Sequence, residues 1–122
     1  MRVAGIGFRT GASFRSLQEV LTKVESIGGS VSAFATIEKK SGDPSLLALA
    51  QLHGVPIHAA DVKGVATPTQ SDRIMEMHST GSVAEAAALV IAGPGSTITV
   101  QRISSADGMA TAAIAEVLGE KK

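Results

Sequence analysis

Between residues 2 and 59 the sequence switches repeatedly between two hydrophobic rhythms, and that alternation constrains the fold more than any other feature. Residues 2–8 are a short apolar run punctuated by Gly5 and Gly7 and bounded by Arg9-Thr10-Gly11, which suits a buried strand. Phe14, Leu17, Val20, Leu21, Val24 and Ile27 then recur at three- and four-residue spacings, the pattern of an amphipathic helix, with Ser13 as N-cap and Gly28-Gly29 as the stop. Val31 to Ile37 reads as a second strand that emerges into solvent at Glu38-Lys39-Lys40-Ser41-Gly42. Asp43-Pro44 opens a second helix, because Asp is a preferred cap and Pro is preorganised for the first turn. Leu46, Leu47, Leu49, Ala50 and Leu52 supply its packing and Gly54 its end, and Val55 to Ala59 is a short third strand. The order βαβαβ predicts parallel strands joined by right-handed crossovers and covered by helices.

The second half reads differently. Residues 61–69 read as a loop with room for one helical turn, and Thr67-Pro68-Thr69-Gln70-Ser71 leads into a short helix through Ile74, Met75 and Met77 that Gly81-Ser82 breaks. Ser82 and Glu85 have capping-box spacing, and Val83 to Ala92 is almost uniformly apolar up to Gly93-Pro94-Gly95, so this helix must be covered by protein. Thr97 to Arg102 alternates with period two, and Asp107-Gly108 is a turn signal before Met109 to Ala115. A closing antiparallel pair is expected, against the helix propensity of the Ala-rich residues 109–118. No internal repeat or linker interrupts the chain.

Composition narrows the function. A chain of 122 residues can bury about two-thirds of its surface, enough for one compact domain, residues 1–122. It has no Cys, which removes disulfides, thiolate metal sites and a cysteine nucleophile and fits a cytoplasmic location. With 11 Lys plus Arg against 11 Asp plus Glu, three Phe, and neither Trp nor Tyr, it offers nucleic acid neither a long-range field nor stacking surfaces. The longest apolar stretch, Val83 to Ala92, is about half of what a membrane span requires, and no signal peptide is recognisable at Met1-Arg2.

Phosphate fingerprints are incomplete. Gly5-x-Gly7 follows a strand, but Thr10 stands where the third Gly of a dinucleotide motif belongs, and no Gly-Lys-Ser/Thr ending completes a P-loop, so a nucleotide-binding module is disfavoured. The alternative is that Gly5 and Gly7 let the first helix pack closely and Arg9 is merely solvated. Geometry still favours an anion here: Phe8 to Ser13 lie between the carboxyl end of a strand and a helix N-terminus, with Arg9 as a carboxylate-binding fork. Glu38, Lys39 and Lys40 stand at the corresponding end of the second strand, either a solvated charge run or an acid/base group and two cations for the same crevice. His53, His58 and His78 are isolated, so no metal site is expected, and no serine-hydrolase elbow is present. Ser71 and Ser82 read first as helix caps, with a second anion pocket open at the helix start after Ser82.

Taken together, Gly5-Ile6-Gly7-Phe8-Arg9-Thr10-Gly11, Ala35-Thr36-Ile37-Glu38-Lys39-Lys40, Val83-Ala84-Glu85-Ala86-Ala87-Ala88-Leu89 and Ala113-Ile114-Ala115 resemble the CobE and CbiG C-terminal family of cobalamin biosynthesis, in order and spacing over nearly the whole chain. The resemblance implies a three-layer α/β/α sandwich with a mixed, mostly parallel sheet of about five strands ending in an antiparallel pair. It implies a role in building the corrin ring. CbiG-like proteins open the δ-lactone of cobalt-precorrin-5A and release acetaldehyde; the 122-residue length resembles stand-alone CobE, for which the family gives a pathway role and no settled reaction. Phe8 replaces the Cys often found at this motif position, so chemistry needing that thiol is lost.

A corrin precursor carries many carboxylates around an apolar macrocycle and so wants cations at the edge of an apolar shelf. The binding candidates are Gly7, Phe8, Arg9, Thr10, Gly11, Ser13, Thr36, Lys39, Lys40, Ser71, Ser82 and Glu85. A lactone-opening enzyme would use Glu38 as general base and Arg9 as oxyanion stabiliser. The expected ligand is a tetrapyrrole intermediate, with no metal or cofactor. The expected contacts are other corrin-pathway enzymes and a second copy of the chain as a homodimer, with no nucleic acid and no membrane.

Overall fold

The computed structural model describes residues 1–71, 74–75 and 80–117. Strand β1 (Arg2–Phe8) leads to helix α1 (Phe14–Gly28), β2 (Ala33–Ile37), a single 3-10 turn (Glu38–Lys40), α2 (Pro44–His53), β3 (Ile57–Ala60), α3 (Val83–Ala92), β4 (Ser96–Ser104) and β5 (Ala110–Val117). Ile74 and Met75 are helical; Met77 and His78 lie outside the described residues. The caps are those the sequence predicts. Ser13 Oγ accepts the Ser16 N–H at 3.1 Å, the Asp43 carboxylate accepts the N–H groups of Ser45 and Leu46, and Ser82 Oγ accepts the Glu85 N–H at 3.3 Å. Gly54 ends α2 in the left-handed region at φ 67°.

The five strands form one sheet in the order β3-β2-β1-β5-β4. β1 pairs in parallel with β2, and β2 with β3, whereas β5 is antiparallel to both β1 and β4. The mixed sheet therefore divides evenly, with two parallel and two antiparallel ladders. β5, the last strand in sequence, lies inside the sheet between β1 and β4, and Arg2 meets Glu116 in an ion pair at 3.2 Å. The Ala-rich segment becomes a strand because it is sandwiched: Ala112, Ala113, Ile114 and Ala115 are all fully buried, and sheet pairing on both edges outweighs helix propensity.

Side-chain alternation divides the core into two layers. Ala4, Ile6, Phe34 and Ile114 face α1 and α2, packing on Leu17, Val20, Leu21, Leu46 and Leu49. Val3, Ala35 and Ala60 face α3, packing on Val83, Ala86 and Ala87. This second interface is built from small residues, so backbones approach closely. A methyl group on Gly5 would stand 1.8 Å from the Ala84 carbonyl oxygen and 2.8 Å from the Ala88 nitrogen. The helix that Gly5 admits is therefore α3, on the opposite face from α1, which corrects the expectation that the first helix packs there. Val83 to Ala88 are all buried, since the sheet covers one side of the helix while Val62, Val65 and Ile74 cover another.

Candidate functional site

At the carboxyl ends of β1 and β2 the chain opens a cavity of about 350 Å³. Such strand-end crevices are where ligands bind in open α/β sheets. Its geometry begins with β1. After Phe8 the chain turns sharply: the Arg9 N–H donates to the Met109 carbonyl at 2.9 Å, and the Ala12 N–H donates to the Arg9 carbonyl at 3.0 Å. This fixes the Arg9 backbone against the β4–β5 turn and leaves its side chain exposed. From the end of β2, Lys40 reaches back across the crevice. Its Nζ lies 5.0 Å from the Phe8 ring centre and donates to Thr10 Oγ1 at 3.3 Å. Thr36, fully buried, donates its hydroxyl to the Ile6 carbonyl at 2.7 Å and so ties β2 to β1 beneath the cavity.

The structure brings Gly7, Phe8, Arg9, Thr10, Thr36, Lys39, Lys40, Ser71 and Ser82 together around this cavity. It places four other sequence candidates elsewhere. Gly11 lies in the turn into α1 and Ser13 caps that helix. Glu38 is exposed at the start of the 3-10 turn, and its carbonyl accepts from Ser41. Glu85 is fully buried, and its carboxylate is occupied internally: Oε1 accepts from the Thr69 N–H at 3.0 Å and the Thr69 hydroxyl at 2.8 Å, and Oε2 accepts from the Arg102 N–H at 3.0 Å. His53 closes α2 and packs its ring 6.3 Å from that of Phe34. Among the described residues, no cluster of His, Asp and Glu could hold a metal ion.

Arg102 is the chief residue that sequence reasoning missed. Strict alternation places Arg102 on the same face as Val100, which packs in the α1 layer. The β4–β5 register breaks that rule: Val100 pairs with Ile114 and Ile103 with Ala112, leaving Gln101 and Arg102 together opposite Ala113. This is a β-bulge, and bulges re-aim side chains. Ile103 regains the α1 face, while Arg102 turns to the α3 side, gives its N–H to Glu85 and lines the cavity. Its guanidinium donates to the Gln70 carbonyl at 3.2 Å. The only sequence signal was Glu85 itself, a carboxylate in a helix otherwise free of charge, which needs buried donors around it.

The rim formed by Gly108, Met109, Ala110 and Thr111 is set by the β4–β5 turn. Asp107 accepts from the hydroxyls of Ser105 and Ser16 and from the Met109 N–H at 3.0 Å. Those hydrogen bonds, the Ser105 hydroxyl first and Ser16 next, pull its carboxyl from 3.8 down to about 2. A carboxyl held lower in the folded chain than in the unfolded one stabilises fully above its unfolded value, and the contribution disappears as pH falls through the folded value. The melting-temperature gap between wild type and Asp107→Asn is therefore expected to be constant from about pH 7 to about pH 4 and to close towards about pH 2. Thermal melts of both proteins across that range check this; a gap independent of pH would contradict it.

Among the described residues the lining combines four cations, Arg9, Lys39, Lys40 and Arg102, with an apolar floor of Phe8, Ile37, Ile74, Val83, Met109 and Ala110. No carboxylate lines it among the described residues, although the whole chain carries equal numbers of acidic and basic side chains. The N-terminus of α3 opens at Ser82 and Val83 and adds its dipole to the same sign. Among the described residues no helix is long and apolar enough to cross a membrane.

Solved structures share this fold. No curated protein matches the chain. The solved structure of CobE, a protein from the cobalamin (vitamin B12) biosynthetic pathway, is 30% identical and superposes with a TM-score of 0.83, covering 99% of this chain and 93% of that one. The cobalamin biosynthesis protein chiG from Agrobacterium tumefaciens is also 30% identical, with a TM-score of 0.74 over 97% of this chain and 99% of that one. The family model described as cobalamin synthesis G C-terminus matches residues 2–115, which span every strand and helix from β1 into β5, and the chain belongs to that family of cobalamin biosynthesis proteins.

Proposed function

We propose that the chain binds a corrin-ring precursor by its carboxylate-bearing edge, holding the tetrapyrrole in the strand-end cavity during corrin synthesis. The observation that supports this reading is that the charged side chains lining the cavity among the described residues, Arg9, Lys39, Lys40 and Arg102, are all cationic and stand around Phe8, Val83 and Met109. Acetate and propionate side chains match the cations, and the macrocycle matches the apolar floor. At about 350 Å³ the cavity takes part of such a molecule, which fits an edge-on grip with the remainder accessible to a partner enzyme.

Binding is favoured over lactone hydrolysis because Glu38, the base that hydrolysis would require, is exposed outside the lining. A general base must come within hydrogen-bond reach of the water it activates. Acetaldehyde release on incubation with a lactone-form precursor would overturn the binding-only reading.

Dicyanocobyrinic acid, with its ring of free carboxylates, is the probe for a titration followed in the visible corrin bands. Saturable binding is expected. Arg9→Ala and Lys39→Ala are each expected to weaken it roughly tenfold, about 1.4 kcal/mol, since both side chains are exposed, and added salt is expected to weaken it further. The heptamethyl ester of the same corrinoid should bind poorly to every variant. Absence of binding by the wild-type chain would overturn the proposal.

A further inference from the structure

Resting on that reading, we infer that Arg102 forms a second carboxylate-binding end of the cavity, separate from Arg9, Lys39 and Lys40, so that the site selects a ligand with two carboxylates held apart by an apolar frame. The strand order carries the separation. Arg9 and the two lysines follow β1 and β2, whereas Arg102 stands on β4, beyond β5. Neighbouring strands lie about 4.8 Å apart, so its backbone is roughly 10–14 Å across the sheet from those strands. Between the two ends the lining is neutral, formed by Ala110, Thr111 and Val83.

Arg102 is held as a receptor rather than a strand ornament. The bulge brings it to the cavity side, and Glu85 fixes its backbone through the N–H bond at 3.0 Å. Gln70 fixes the guanidinium by one bond at 3.2 Å. Arginine carries five N–H donors in a planar fork, so that single bond leaves donors for a carboxylate. A lone carboxylate or inorganic phosphate would engage one end only; two side-chain carboxylates on one macrocycle engage both. The selectivity is for charge spacing as well as charge.

A double-mutant cycle with dicyanocobyrinic acid tests the inference, using Arg102→Ala, Arg9→Ala and the pair. Each single variant is expected to weaken binding roughly tenfold and the pair roughly a hundredfold, because separate ends contribute independently. Arg102→Lys should recover part of the loss, as it restores charge without the fork. Arg102→Ala keeps the backbone N–H that Glu85 accepts, and a thermal melt close to wild type confirms that the frame survives. Unchanged affinity in Arg102→Ala alongside weakened binding in Arg9→Ala overturns the inference and leaves the binding reading intact. A pair no weaker than either single variant also overturns it, since both cations would then share one carboxylate. Loss of binding already in the wild-type chain overturns the reading beneath it.

Discussion

Gly5→Ala is expected to destabilise the chain by about 3 kcal/mol or more, lowering the urea midpoint without changing the slope of the transition. The cause is the contact between β1 and α3. The added methyl would lie 1.8 Å from the Ala84 oxygen and 2.8 Å from the Ala88 nitrogen, and both atoms belong to helix backbone that no rotamer change can move. Relief requires α3 to retreat from the sheet, and that opens the layer in which Ala84, Ala86, Ala87 and Ala88 are fully buried. Because Ser82 and Val83 at the start of the helix line the cavity, residual folded protein should also bind the corrinoid probe more weakly. Gly42→Ala is the control. A methyl there meets nothing within 4 Å and φ is not positive, so this variant should be neutral or gain up to about 1 kcal/mol through a stiffer unfolded chain. Equal stability of the two variants would refute the close-packing account.

What the sequence made legible was what short-range chemistry decides. Ser13, Asp43-Pro44 and Ser82 cap their helices as read, because a cap is settled within about four residues. The strand ends that carry Arg9, Lys39 and Lys40 were likewise readable, since parallel neighbours present their carboxyl ends on one side. Long-range features were not. Arg2 pairs with Glu116 across 114 positions, and nothing local to β5 says that it inserts between β1 and β4. Glycines in a first strand suggest close packing of the first helix, whereas residue parity on β1 turns Gly5 to the other face, against Ala84 and Ala88. Arg102 was hidden by a bulge, an insertion of one residue that reverses which face each later side chain takes.

Glu85→Ala is the second large effect, expected at about 3–5 kcal/mol, or a fall of roughly 10–20 °C in melting temperature. The fully buried carboxylate accepts three hydrogen bonds, two from Thr69 and one from the Arg102 N–H. Truncation strands all three donors and leaves a void in a close-packed layer. The Arg102 N–H suffers most, because the bulge has already removed it from the regular ladder with β5. Glu85→Gln separates the two costs. It preserves the volume and one acceptor oxygen, but its amide turns donors towards either Thr69 or Arg102, so it should cost less than alanine and still about 2 kcal/mol. The consequence reaches the cavity: Thr69 precedes Gln70 and Ser71, Gln70 anchors the Arg102 guanidinium, and Ser71 and Arg102 both line the site. If Arg102 binds a carboxylate as inferred above, Glu85 acts on that end of the pocket as a positioning residue, although it does not line the cavity. Below the melting range, Glu85→Gln should therefore weaken corrinoid binding in the wild-type background and have little further effect in the Arg102→Ala background. An equal loss in both backgrounds would mean that Glu85 supports only the fold.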